Sequence, residues 1–272
     1  MRIADKTFVV TGAGAGIGRA VTIELLGRGA RVAAVDLSAE GLTETGQQAG
    51  AGERLSTHTV DITDREAVLA LPTQTSRVHG PADGILNVAG IIQPFIHVED
   101  LDYADIERVI NVNFWGTVNI VKAFLPGLKA RPEAALVNVS SMGALIPVPG
   151  QTAYGASKAA VRLLTEGLYA ELQGTSVAVT EVFPGAVGTE ISKNSGVQSD
   201  TSSTGETART TSPQEAARII AEAIEKPRLR VMIGNDAKLF DMLSRLAPQR
   251  SIAMIANRMK GLVTARAKEA GL

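Results

Sequence analysis

The stretch Thr7-Phe8-Val9-Val10-Thr11-Gly12-Ala13-Gly14-Ala15-Gly16-Ile17-Gly18-Arg19-Ala20-Val21 decides the fold. It opens as a run of consecutive apolar and β-branched residues, the pattern of a strand buried on both faces. It then passes through a glycine-rich turn into a helical segment. Glycines at such a turn let a pyrophosphate approach the backbone, and the free N–H groups and dipole of the helix N-terminus favour an anion. A glycine string alone can be an empty turn. Its position between the first strand and the first helix is the context a dinucleotide fingerprint requires. Gly12, Gly16, Ile17 and Gly18 are therefore candidate cofactor contacts.

Further along the chain the same alternation repeats. Strand-like runs follow at Arg31–Val35, Leu55–Val60, Gly84–Val88, Ala135–Val139, Val177–Phe183 and Val231–Ile233, with helical stretches such as Gly16–Arg28, Tyr103–Leu125 and Thr152–Leu172 between strands. Parallel strands cannot close with a hairpin, so this alternation predicts a doubly wound, seven-stranded parallel α/β sheet with helices on both faces. No break in composition divides residues 1–272, which read as a single domain.

The second strand ends in Asp36, 18 residues past Gly18. A carboxylate there accepts hydrogen bonds from the hydroxyls of an adenosine ribose and repels a 2′-phosphate. Its competing reading is a helix N-cap or a solvated turn acid, since Ser38 follows. Neither Ala15 nor Leu37 brings a cation for a 2′-phosphate, so the expected cofactor is NAD.

Tyr154-Gly155-Ala156-Ser157-Lys158 places a phenol and an ammonium four residues apart, on one helix face. A neighbouring positive charge is expected to lower the phenol pKa toward the working range of a general acid/base. Ser141, at the end of the fifth strand run and 13 residues before Tyr154, can donate to a substrate oxygen. Taken singly, these residues could equally be a surface pair and a loop cap.

Together they resemble the short-chain dehydrogenase/reductase family in its single-domain, Rossmann-type form. The matching pieces occur in family order over roughly residues 5–235: Thr11-Gly12-xxx-Gly16-x-Gly18, Asn87-x-Ala89-Gly90, Asn113, Ser141, Tyr154-xxx-Lys158 and Pro184-Gly185. The resemblance implies a Ser141–Tyr154–Lys158–Asn113 tetrad. In it Tyr154 exchanges a proton with the substrate oxygen, which Ser141 hydrogen-bonds. Lys158 holds the nicotinamide ribose, and Asn113 anchors a water relay. It also implies adenine contact at Asp61 and Ile62, cofactor contacts at Asn87, Ala89, Gly90, Pro184 and Gly185, and carboxamide contacts at Val187 and Thr189. Val88 departs from the family pattern, where a second Asn is usual.

The expected reaction is NAD-dependent hydride transfer between a secondary alcohol and a ketone. The alternatives are a ketoacyl-type reductase, which Asp36 opposes, and a silent NAD-binding regulator. Ile91, Ile92, Phe95 and the run Met142–Val148 are apolar and offer no Arg or Lys to clamp an anion, which points to a lipophilic substrate.

The 27 Lys+Arg and 28 Asp+Glu leave a net charge of −1, which argues against a nucleic-acid partner. The absence of cysteine excludes disulfides and thiolate metal sites. No metal site is expected: His58, Asp61 and Asp64 read better as strand end and helix cap. Trp115 reads as packing. The N-terminus lacks a secretory pattern, and a cytoplasmic location is the expectation.

Two segments stand apart. Residues 192–212 are rich in Ser, Thr and Gly, and read as a mobile substrate lid. Residues 226–272 carry ten basic against three acidic side chains. Within 236–272, Leu239, Phe240, Leu243 and Leu246, then Ile252, Ile255, Met259 and Leu262, make apolar stripes at helical spacing. These stripes can be buried against the parent domain, across a subunit interface or at an anionic membrane surface, and burial in a homodimer or homotetramer is the expected use of this tail.

Overall fold

The computed structural model describes residues 1–189, 191–195, 197 and 210–257. Strands β1 (Thr7–Thr11), β2 (Arg31–Asp36), β3 (Leu55–Thr59), β4 (Gly84–Asn87), β5 (Ala134–Val139), β6 (Val177–Pro184) and β7 (Arg230–Ile233) form one sheet. Its order is β3-β2-β1-β4-β5-β6-β7, and every pairing is parallel. The chain winds outward from β1 to β3, then resumes at β4 on the other side of β1. The crevice beyond the carboxyl ends of β1 and β4 is therefore the switch point where such sheets bind ligands.

Helices α1 (Gly16–Gly27), α2 (Ala39–Ala49), α3 (Arg65–His79), α4 (Tyr103–Ile110), α5 (Thr117–Lys129), α6 (Thr152–Glu171), α7 (Ile191–Asn194), α8 (Pro213–Glu225) and α9 (Asn235–Leu246) follow in chain order. The consecutive apolar residues of the strands are explained by two cores. Phe8 and Val10 pack with Val21 and Leu25 of α1 and Ile220 and Ile224 of α8. Val9, pointing the other way, joins Val68 and Leu71 of α3 and Ile120 and Phe124 of α5. A sheet covered on both faces has no polar side to alternate with.

The Tyr103–Leu125 stretch, expected as one helix, is interrupted by a π turn at Asn111–Gly116. The extra residue carries the Asn113 side chain inward, where it is fully buried. Thr117 Oγ1 donates to the Asn113 carbonyl at 2.8 Å, giving that acceptor a local partner. Gly116 lets the turn pass against Ile62, whose side chain a Cβ there would strike. Trp115 departs from the expected packing role: it is 41% exposed, with the Arg65 guanidinium 5.4 Å from its ring centroid.

Of the 192–212 segment, residues 192–195, 197 and 210–212 are described, and the remainder of the expected lid lies outside the described residues. In the tail, the expected stripe is only partly buried by this chain. Among the described stripe residues Ile255 is buried, Phe240 and Leu243 are half-buried, and Leu239, Leu246 and Ile252 are exposed. Met259 and Leu262 lie outside the described residues. Among the described residues, no helix is long and apolar enough to cross a membrane.

Candidate active site

At the carboxyl end of β1, the glycine turn is shaped by backbone proximity. Gly12 adopts φ +70°, and a Cβ on it would sit 2.8 Å from the Ala89 backbone. A Cβ on Gly18 would collide with the Gly12 carbonyl. Thr11 Oγ1 accepts from the backbone N–H groups of Val88 and Ala89 at 3.1 and 3.3 Å, stitching the turns after β1 and β4 together. Helix α1 begins after Ala15 with no side-chain cap and no acid in its first turn, so its first N–H groups have no side-chain acceptor among the described residues. Thr189 lies over this turn, with its Cγ2 3.3 Å from where a Gly16 Cβ would be.

Asp36 reaches across from β2. Its carboxylate accepts from Gly14 N at 2.8 Å and from Ser38 N at 2.9 Å. Ser38, and not Asp36, caps α2, its hydroxyl accepting from Gly41 N, so Asp36 is a turn acid held by two backbone N–H groups. Asp61 accepts from the Thr63 amide and hydroxyl, both at 2.8 Å. The Ile62 side chain is buried beneath Gly116, and its carbonyl accepts from Asn119. Asp64 caps α3, while His58 and His79 both hydrogen-bond Ser56. Burial and mutual repulsion push the His58 pKa down.

The catalytic candidates converge at two glycines. A Cβ on Gly143 would lie 3.4 Å from Ser141 Oγ and 3.6 Å from the Tyr154 ring. A Cβ on Gly90 would lie 2.9 Å from Lys158 Nζ and 3.1 Å from Asn113 Oδ1. Asn113 holds the loop after β4 through both ends of its amide: Oδ1 accepts from Ile91 N, and Nδ2 donates to Ile91 O and to Ser157 Oγ. Lys158 is buried, donates to the Val139 carbonyl at 3.1 Å, and has its pKa pulled down to about 8 by desolvation.

The phenol differs from expectation. Desolvation raises the Tyr154 pKa, and a hydrogen bond from Ser141 only partly offsets this. The helical spacing does put Tyr154 and Lys158 on the same side, but the amine is engaged by a carbonyl and the phenol's own burial dominates.

A family model for short chain dehydrogenases matches residues 6–200. The chain belongs to that family. SadH, an oxidoreductase of Mycobacterium tuberculosis, is 38% identical over 255 residues, covering 89% of this chain and 90% of that protein. Among solved structures, a short chain dehydrogenase of Burkholderia cenocepacia in complex with NADP superposes with a TM-score of 0.80 at 29% identity, covering 94% of this chain and 99% of that one. A short chain dehydrogenase/reductase of Burkholderia phymatum in complex with NAD superposes at 0.81 with 24% identity, covering 90% and 94%.

The residues of this short-chain dehydrogenase fit a nicotinamide dinucleotide on their own geometry. Gly12 and Gly18 in the turn after β1 leave no space for a Cβ, and among the described residues the α1 N-terminus has no side-chain cap and Asn87 Oδ1 is buried without a hydrogen-bond partner. Several residues that shape the site carried no motif. Asp236, at the start of α9, accepts from Ala186 N at 2.7 Å and supports the Pro184-Gly185 turn, whose Gly185 donates to Ile233 O. Arg19 packs toward α2 and is neutralised by Glu44 at 2.6 Å. Ser195 fastens the segment after Thr189, accepting from Ile92 N at 3.0 Å while its carbonyl accepts from Arg108. Gln93 is buried beside Tyr154. Of the expected apolar wall, Ile92 and Ile146 point into the interior, whereas Ile91, Phe95, Met142, Leu145 and Val148 stay partly exposed.

Proposed function

We propose that this enzyme interconverts a lipophilic secondary alcohol and its ketone with NAD(H). The observation that carries the reading is the convergence of Ser141 and Tyr154 at Gly143, beside Lys158 and Asn113 at Gly90. A bound nicotinamide supplies the hydride acceptor or donor. Tyr154 takes the proton from the substrate hydroxyl in oxidation and returns it to the carbonyl oxygen in reduction. Ser141 donates a hydrogen bond to that oxygen as its charge develops. Lys158, when protonated, stabilises the phenolate and binds ribose hydroxyls. Asn113 keeps the Gly90–Ile91 backbone in place around the lysine.

Asp36 supports NAD over NADP. Its carboxylate is oriented by two backbone N–H groups and retains lone pairs that could serve ribose hydroxyls, and its negative charge would oppose a 2′-phosphate on that ribose. The nearby cation, Arg19, is occupied by Glu44. The apolar Ile91 and Met142, each next in the chain to a residue of the Gly90 and Ser141 corners and partly exposed, support an apolar substrate.

The test is a panel of aliphatic, alicyclic and aromatic secondary alcohols assayed with NAD and NADP. The reading expects turnover of apolar members and kcat/KM at least about tenfold higher with NAD, equivalent to about 1.4 kcal/mol. Equal efficiency with both cofactors would remove Asp36 from ribose selection. Tight NADH binding without any turnover would favour a binding protein over an enzyme.

A further inference from the structure

Helix α6 carries Tyr154 in its first turn, yet it has no cap of its own. The side chain at its N-cap, Gln151, makes no capping hydrogen bond. In contrast, α2, α3 and α8 are capped locally by Ser38, Asp64 and Ser212. The first intrahelical bond of α6 runs from Gly155 N to Gln151 O, which leaves the Tyr154 N–H without a helical acceptor.

That donor is met from another part of the chain. Gln93 Oε1, on the loop after β4, accepts from Tyr154 N at 3.0 Å, and Gln93 Nε2 donates to Gly150 O at 3.0 Å. Gln151 Nε2 returns a bond to the Gln93 carbonyl at 2.9 Å. Both glutamines are almost wholly buried, Gln93 at 0% and Gln151 at 5% exposure. Gly150 turns with φ +77°, so the entry to the helix is a tight bend held on both sides.

We propose that Gln93 and Gln151 form a buried amide clamp that caps α6 in trans and sets the position of Tyr154 against Ser141. The inference rests on the reading of Tyr154 as the proton-transfer group. Gln93 is a positioning residue, since its own amide touches backbone and not the reacting atoms. A catalytic group displaced by about 1 Å can lose about 100-fold in rate, so a backbone anchor at the tyrosine itself has leverage over turnover. The clamp also couples the Ile91–Phe95 wall to the helix that carries the acid/base.

The experiment compares wild type with Gln93→Leu and Gln151→Leu, using steady-state kinetics and ¹³C-tyrosine NMR. The chain has three tyrosines, so the Tyr154 signal is assigned with Tyr154→Phe. The clamp predicts that Gln93→Leu lowers kcat by about tenfold or more and leaves dinucleotide affinity within about twofold. It also predicts that the Tyr154 titration moves upward as the Ser141 bond loosens. Gln151→Leu, which keeps the cap, should show the same changes at smaller size, and it carries the test if Gln93→Leu does not fold. General loss of stability would lower Tm without moving the titration of the folded protein. An unchanged Tyr154 signal and titration in folded Gln93→Leu overturns the clamp. Full turnover by Tyr154→Phe would instead overturn the assigned role of the tyrosine, with the NMR signals still judging the clamp.

Discussion

The glycine turn after β1 and the corner around Tyr154 are adjacent at the end of one sheet, but they are held by different materials. At the turn, the close contacts are backbone against backbone: Gly12 against Ala89, Gly18 against the Gly12 carbonyl. At the corner, side-chain amides bridge distant segments: Asn113 to Ile91 and Ser157, Gln93 to Gly150 and Tyr154. Backbone contacts leave a trace in sequence because only glycine satisfies them. An amide network leaves little trace, because Asn and Gln occur in many settings and their partners are fixed only by the fold. The first region should therefore fail by steric collision, and the second by misplacement of a reacting group.

The largest effect should come from Gly18→Ala. The new methyl has rigid backbone in its way, so a loss of about 3 kcal/mol or more is expected, together with weakened dinucleotide binding. Thermal unfolding and NADH fluorescence titration measure both, and a variant of wild-type stability and affinity would show that the turn can relax.

Next is Tyr154→Phe. It removes the phenolic oxygen and no anchoring backbone bond, so kcat should fall by about 100-fold or more, near 2.7 kcal/mol, with NADH affinity within a few-fold. Rate loss caused mainly by weaker cofactor binding would erase the distinction between the two regions.

Asp36→Asn keeps an acceptor for Gly14 N while removing the charge. It should narrow the NAD preference by about tenfold, or 1.4 kcal/mol, in a kcat/KM comparison of the two cofactors. If the ratio stays the same, the carboxylate serves the turn alone.

A control lies away from both regions and leaves the chemistry untouched. Glu181, on β6, is fully buried with both carboxyl oxygens unpartnered. Its pKa is pushed up to about 8 by desolvation first and by Glu166 second, against Arg230 and Arg162. The folded state thus keeps a proton that the unfolded chain releases above its ordinary carboxylate range, so stability falls as pH rises toward 8 and levels off beyond it. Glu181→Gln should remove this slope and gain at least about 1 kcal/mol relative to wild type between pH 5 and 8 in denaturant titrations. Parallel pH curves for the two proteins would show that Glu181 ionises normally.

The tail shows the limit of periodicity. Spacing puts Leu239, Phe240, Leu243 and Leu246 on one stripe, but the described residues bury that stripe only in part. Periodicity says which residues share a helix face and is silent on what packs against it. Asp241, from the same helix, instead joins Arg230 of β7 at 2.8 Å and Arg245 at 3.1 Å beside a cavity of about 410 Å³.

The amino-acid sequence alone determined the strand–helix alternation, the glycine turn, the carboxylate after β2 and the Ser141, Tyr154 and Lys158 candidates. Each of these is written in local spacing or in a residue type that one backbone geometry demands. Tertiary structure alone decided the π turn that buries Asn113, the support of the Pro184-Gly185 turn by Asp236, and the capping of α6 by Gln93. It also reversed the expected direction of the Tyr154 pKa, because desolvation depends on everything packed around a group and an i,i+4 spacing records only one neighbour. Hydrogen bonds between segments 50 to 61 residues apart, as for Ala186 with Asp236 and Tyr154 with Gln93, exist only once the sheet has brought its carboxyl ends together.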